Sequence, residues 1–243
     1  MASRAVIPNE SAIAATRSAV DGFIGAIRDA DIPLIGLNFF AGDMPAGDRG
    51  LVSWPARSSE FRDNIDVTLG LGEQLGCRAF NALYGLRQDD SSPQEQDELG
   101  AENLALAADA AKRIDGTVLV EPVSGADRYP LRTAADALAV IDRAAAGERD
   151  NIRLLFDVYH LAVNGDDLDA AVDLAAGRIG HVQIADAPGR HEPGTGELDI
   201  DHHLQRIAAT GYDGWVGLEY KPSGASAASF DWLPRERRSA TAS

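Results

Sequence analysis

The sequence predicts an α/β fold of parallel strands curled as a barrel, with about six of the eight strands of a complete (β/α)8 barrel. Three observations lead there. Short Val/Leu/Ile-rich runs alternate with amphipathic stretches along the chain, the pattern of parallel strands joined by helical crossovers. Four of those runs deliver a polar side chain at or near their C-terminal end: Glu121, Asp157, Gln183 and Glu219. Parallel barrels gather functional groups at that end of their strands. Finally, 243 residues, 45% of them hydrophobic, suit one barrel with a sizeable core, and no linker-like stretch divides them. One domain over 1–243 is expected, frayed at 1–9 and 235–243.

The elements follow in order. Ile13, Val20, Phe23, Ile24 and Ile27 recur at helical spacing and predict a helix over 11–29. Pro33 opens a strand at 34–40. The glycine-rich loop 41–57, carrying Asp43, Asp48 and Arg49, reads either as a lid over a substrate or as plain turn chemistry. Ser59 is a candidate cap for a helix over 59–76, with Phe61, Ile65, Leu69 and Leu75 on one face. A strand at 78–84, a polar segment at 87–98 and an alanine-rich helix at 99–114 come next. The strand ending in Glu121 covers 117–122. A helix begins near Thr133, a strand covers 153–159 and a helical stretch covers 167–176. After the strand at 180–186, Asp201 is a candidate cap for a helix to Ala209. The last strand is 214–220, followed by a short helix at 226–233. Trp215, Phe230 and Trp232 read as packing residues.

Composition narrows the function. A net charge of −16 opposes a broad phosphate-binding surface, so no nucleic-acid partner is expected. The single cysteine, Cys77, forbids an intrachain disulfide and fits a small buried residue. No apolar run approaches the ~20 residues that span a bilayer, and the first residues lack a signal-peptide core. A cytoplasmic location, no membrane partner and a possible homo-oligomer are the expectations.

Three carboxylates brought together with no cation repel one another and shift toward protonation. A divalent ion removes the conflict, and three carboxylates plus one amide oxygen suit Mg²⁺ or Mn²⁺ better than a structural zinc. The plain alternative for each glutamate is a strand-end salt bridge. His160, three residues after Asp157, is either a hydrogen-bonded buried histidine or a donor to a substrate hydroxyl. His181 faces the same side as Gln183, as support or as core. Arg190, in Arg190-His-Glu-Pro-Gly194, offers a fork for a substrate carboxylate. His202-His203 read as surface or packing residues, because no cysteine or further histidine stands at zinc spacing. Nothing suggests a nucleotide cofactor.

Four segments then carry a resemblance: Phe156-Asp-Val-Tyr-His160, His181-Val-Gln-Ile-Ala-Asp186, Arg190-His-Glu-Pro-Gly-Thr-Gly-Glu197 and Gly214-Trp-Val-Gly-Leu-Glu-Tyr-Lys-Pro222. Together they resemble the hydroxypyruvate isomerases of the xylose-isomerase-like TIM-barrel superfamily, from about Val20 to Arg238. The resemblance implies metal ligands at Glu121, Asp157, Gln183 and Glu219, with Glu121 and Glu219 as the acid–base pair. It implies substrate contacts from His160 and Arg190. Lys221 is a further candidate to hold the substrate carboxylate. The implied activity is an aldose–ketose type isomerisation of hydroxypyruvate to tartronate semialdehyde, with a sister activity on a related keto acid such as 2-oxo-tetronate as the alternative. A non-catalytic remnant is the rival of another class. Two departures stand out. Ser124-Gly125 replaces an asparagine usual after Glu-Pro-Val, and the family's first two strands have no counterpart before the helix at 11–29.

Overall fold

The computed structural model describes residues 10–146 and 149–234, with side chains from 18 onward. The expected fraying of 1–9 and 235–243 therefore lies outside the described residues. In order come α1 (Glu10–Ala30), β1 (Leu37–Asn38), α2 (Ser58–Leu75), β2 (Ala79–Asn81), α3 (Pro93–Lys112), β3 (Thr117–Val120), α4 (Ala134–Ala145), β4 (Ile152–Asp157), α5 (Val158–Asn164), α6 (Leu168–Leu174), β5 (Ile179–Ile184), α7 (Ile200–Ala209) and β6 (Val216–Leu218).

All six strands pair in parallel in the order β1 to β6. The sheet is a curled half-barrel, as expected, and among the described residues β1 and β6 do not meet. Side chains alternate across it. Phe80, Val118, Val120, Leu154, Phe156, Val182 and Ile184 form the layer buried in the main core, which takes in Phe61, Leu104, Ala137, Leu138, Ile141 and Val172 of the helices. The opposite face lines a hollow that holds Ala79, Leu119, Leu155, Gly217 and Phe23 of α1.

Several boundaries differ from expectation, each for a local reason. Helix α3 begins six residues early. Ser92 accepts from the Glu95 N–H while Glu95 accepts from the Ser92 N–H, a capping box set just ahead of the alanine-rich run. Ser59 caps nothing, since α2 starts after a 3₁₀ turn at Pro55–Arg57. Asp199, not Asp201, caps α7. The predicted strand to 159 stops at Asp157, whose carboxylate caps the unpredicted α5 by accepting from the His160 N–H.

The loop 41–57 is no loose lid. Leu51, Val52 and Ser53 are fully buried, and Ser53 N–H donates to the Tyr84 carbonyl. Gly50 has φ +112°, and a Cβ there would sit 2.0 Å from the Leu83 carbonyl oxygen, so only glycine fits. Asp43 caps a 3₁₀ turn, and Asp48 pairs with Arg57: turn chemistry, the second of the two readings. Cys77 is buried, as expected. Trp215 and Phe230 are 54% and 39% exposed, more open than packing residues should be; Trp215 lies just before β6, an edge strand paired only with β5, whereas Trp232 does pack against the main core.

Candidate active site

The period-two alternation that builds the core also builds the site. Counting inward from each strand end, Leu119 precedes Glu121, Leu155 precedes Asp157, His181 precedes Gln183, and Gly217 precedes Glu219. Parallel register sets Asp157 beside Gln183, and Gln183 beside Gly217. The result is one cluster. Glu121, Asp157, His160 and Glu219 each offer a ligand atom within 4.8 Å of the others.

Each member is fixed differently. Glu121 is buried, and its Oε2 accepts from Asn81 Nδ2 at 2.7 Å. Burial, and then the nearby Glu219 charge, push its carboxyl above the usual range. Asp157 is also buried. Burial and then the Glu121 charge raise it well above the usual carboxylate range. Glu219 lies at the open edge, about half exposed, and its Oε2 meets Arg190 Nη2 at 2.7 Å. Gln183 Oε1 is buried with no hydrogen-bond partner in the structure. Gly217 makes room there, since a Cβ would come within 3.1 Å of His181 Nε2 and 3.2 Å of Gln183 Cγ.

His160 bridges the cluster to the loop. The Ser124 N–H donates to its Nδ1 at 3.0 Å, and Ser124 Oγ lies 2.7 Å from the same atom. An accepting Nδ1 places the ring proton on Nε2, which lies 4.0 Å from Glu121 and 3.9 Å from Asp157. Arg190 Nη2 is 3.3 Å from Nε2, which is then a contact of two donors. Burial, then the Arg190 charge, lower His160 to about 4, so it is neutral near pH 7.

The loop after β5 delivers Arg190. Asp186 is fully buried, and its carboxylate accepts from the N–H groups of Ala187, Gly194, Gly196 and Leu198 at 2.8–3.1 Å. Arg190 then stacks on Tyr159, 5.2 Å from the ring centroid. Lys221 reaches this loop through its backbone: its N–H donates to the Arg190 carbonyl, and His191 Nδ1 donates to the Lys221 carbonyl. Its side chain is exposed.

The donor set fits a hard divalent cation. It offers three carboxylates, two of them raised by burial and mutual repulsion, and an amide oxygen that lacks a partner. Glu121, Asp157, Gln183 and Glu219 are the residues that would hold it. Sequence reasoning assigned no role to Asn81 or Asp186, and noted Ser124 only as a departure from the family pattern. Asn81 could have been found by the strand-end rule, as it ends Ala79-Phe-Asn81. Ser124 acts partly through its backbone, which leaves no side-chain signal.

The family description xylose isomerase-like TIM barrel matches residues 7–236. The chain belongs to that family. A Streptomyces coelicolor relative named a putative hydroxypyruvate isomerase is 51% identical over 92% of this chain and 82% of its own length. At 35% identity over 81% of this chain stand the Escherichia coli hydroxypyruvate isomerase, covered over 76% of its length, and a Cupriavidus necator 2-oxo-tetronate isomerase, covered over 75%. A solved structure from Brucella melitensis, described as an AP endonuclease of family 2, superposes with TM-score 0.81 at 32% identity, covering 88% of this chain and 82% of that one. Among the described residues, no helix is long and apolar enough to cross a membrane.

Proposed function

We propose that the chain is a keto-acid isomerase that interconverts hydroxypyruvate and tartronate semialdehyde. The observation that carries the reading is the carboxylate cluster itself: a buried Glu121 and an edge-lying Glu219 face one space, beside a partnerless Gln183 oxygen. The names of the isomerase relatives support the substrate class.

Glu121, Asp157, Gln183 and Glu219 would hold a Mg²⁺ or Mn²⁺ ion, which would supply positive charge to offset the negative charge that develops on the substrate oxygens. The chain does the rest. Glu219, oriented by Arg190, takes the proton from C3 of hydroxypyruvate, and Glu121, whose burial favours its protonated form, delivers one to C2. The C3 hydroxyl becomes the carbonyl and the C2 carbonyl becomes the hydroxyl, so one proton passes between the two oxygens. The His160 Nε2–H faces that space and donates to a substrate oxygen. Arg190 and Lys221 hold the substrate carboxylate.

Glu219→Gln should reduce turnover to near zero with hydroxypyruvate while Mn²⁺ binding, followed by calorimetry, weakens but persists. Full activity in that variant would end the assignment. The C. necator relative, as similar as the E. coli one, favours 2-oxo-tetronate as the second reading. Comparing kcat/KM for the two keto acids decides between them. A nuclease reading finds no support in a chain of net charge −16.

A further inference from the structure

His202 and His203 gain a third partner that the sequence conceals. They lie in the first turn of α7, and Asp169, in the first turn of α6, comes up beside them from 33 residues away. Asp169 Oδ1 stands 3.0 Å from His202 Nε2 and 3.4 Å from His203 Nδ1. Nitrogen and oxygen ligands at ~2.0–2.1 Å from a tetrahedral ion lie about 3.3 Å from one another. One ligand atom from each of the three residues falls within 4.8 Å of the others.

His203 adds an independent sign. Its Nδ1 is buried, yet it has no hydrogen-bond partner. The approach to Asp169 Oδ1 is close enough for an ion pair but falls short of strict hydrogen-bond geometry, so among the described residues Asp169 is its one polar neighbour and holds it loosely. Buried nitrogens are seldom left so. Arg206 is the nearest competing cation, with Nε 3.9 Å from Asp169 Oδ1. Its Nη2, however, is engaged by Asp173 at 2.6 Å and by the Asp169 carbonyl at 3.3 Å.

We propose that Asp169, His202 and His203 form a second metal site, sharing no residue with the carboxylate cluster, which takes Zn²⁺ with water as fourth ligand and ties α6 to α7. Two imidazoles and one carboxylate suit a borderline first-row ion, whereas Mg²⁺ prefers oxygen donors throughout.

The test uses the metal-free full chain, with Zn²⁺ in equilibrium dialysis and Co²⁺ as an absorption probe. Wild type should bind one more equivalent of Zn²⁺ than His202→Ala/His203→Ala and show the intense visible bands of four-coordinate Co²⁺. Asp157→Asn, altered only in the carboxylate cluster, should keep those bands. Asp169→Asn, an isosteric change at a half-exposed side chain, repeats the test without a cavity, with circular dichroism reporting the fold. Loss of one equivalent and of the bands in both α6–α7 variants sustains the site. Equal stoichiometry and equal bands in wild type and those variants overturn it.

Discussion

Replacing Asp186 with Asn exchanges one oxygen for an NH2 group and tests how the site's main loop is held. In the wild type, Oδ1 accepts from Ala187 and Leu198, and Oδ2 from Gly194 and Gly196. Whichever oxygen is replaced, two backbone donors lose their acceptor and face a donor instead. A hydrogen bond to a charged group is worth about 1.5–3 kcal/mol net, and water reaching exposed Gly194 argues for the low end or below, about 2–3 kcal/mol for the pair. At ~1.4 kcal/mol per factor of ten, amide exchange in 187–198 should quicken by about 30- to 140-fold. Hydrogen–deuterium exchange read by mass spectrometry measures this, with loops elsewhere as controls. Because the same loop presents Arg190, kcat/KM should fall as well. The pH dependence follows from sign. Burial opposes the Asp186 charge, but its backbone donors outweigh burial and lower its pKa. Its contribution is therefore complete above the unfolded value of about 3.9 and is lost as pH falls through the lower folded value. The variant should lack that acid-side loss. Exchange within about threefold of wild type at pH 7, a difference of under ~1 kcal/mol, would refute the claim that Asp186 organises the loop.

Three further outcomes are expected. His160 is held neutral to about pH 4 while the unfolded ring takes a proton near 6.5, so metal-free protein should lose about 3 kcal/mol as pH falls across that window; urea midpoints of His160→Gln should drop less over the same range. Gly217→Ala places a methyl against His181 and Gln183 and should weaken Mn²⁺ binding about tenfold, read by calorimetry, because the amide must shift. Gly72→Ala drives a methyl to 2.4 Å from the buried Phe80 ring and should cost about 1–3 kcal/mol by urea unfolding with the cluster intact; an unchanged midpoint would show that the core there gives way freely.

The placement of the candidate-site positions at the strand ends was legible because strand periodicity is local. Val118 and Val120 outward and Leu119 and Glu121 inward follow from a repeat of two, and the same repeat sets Asp157, Gln183 and Glu219 inward. The strand count and the open barrel were likewise readable, since alternation of apolar runs and amphipathic stretches needs no knowledge of distant contacts. Boundaries were less so. The Ser92 capping box and the Asp157 cap turn on which backbone donor a side-chain oxygen reaches, and several spacings satisfy the same residues.

What the sequence determined by itself, then, was the parallel α/β fold and the inward placement of four oxygen donors. Only the tertiary structure decided how those donors differ. Burial leaves Glu121 raised and set apart from water, while the open edge beside β6 leaves Glu219 within reach of Arg190. It alone brought Ser124 to His160, and Asp169 to the paired histidines of α7. These are contacts across 33 or more residues, and side-chain periodicity within one element carries no information about what a neighbouring element will lay beside it.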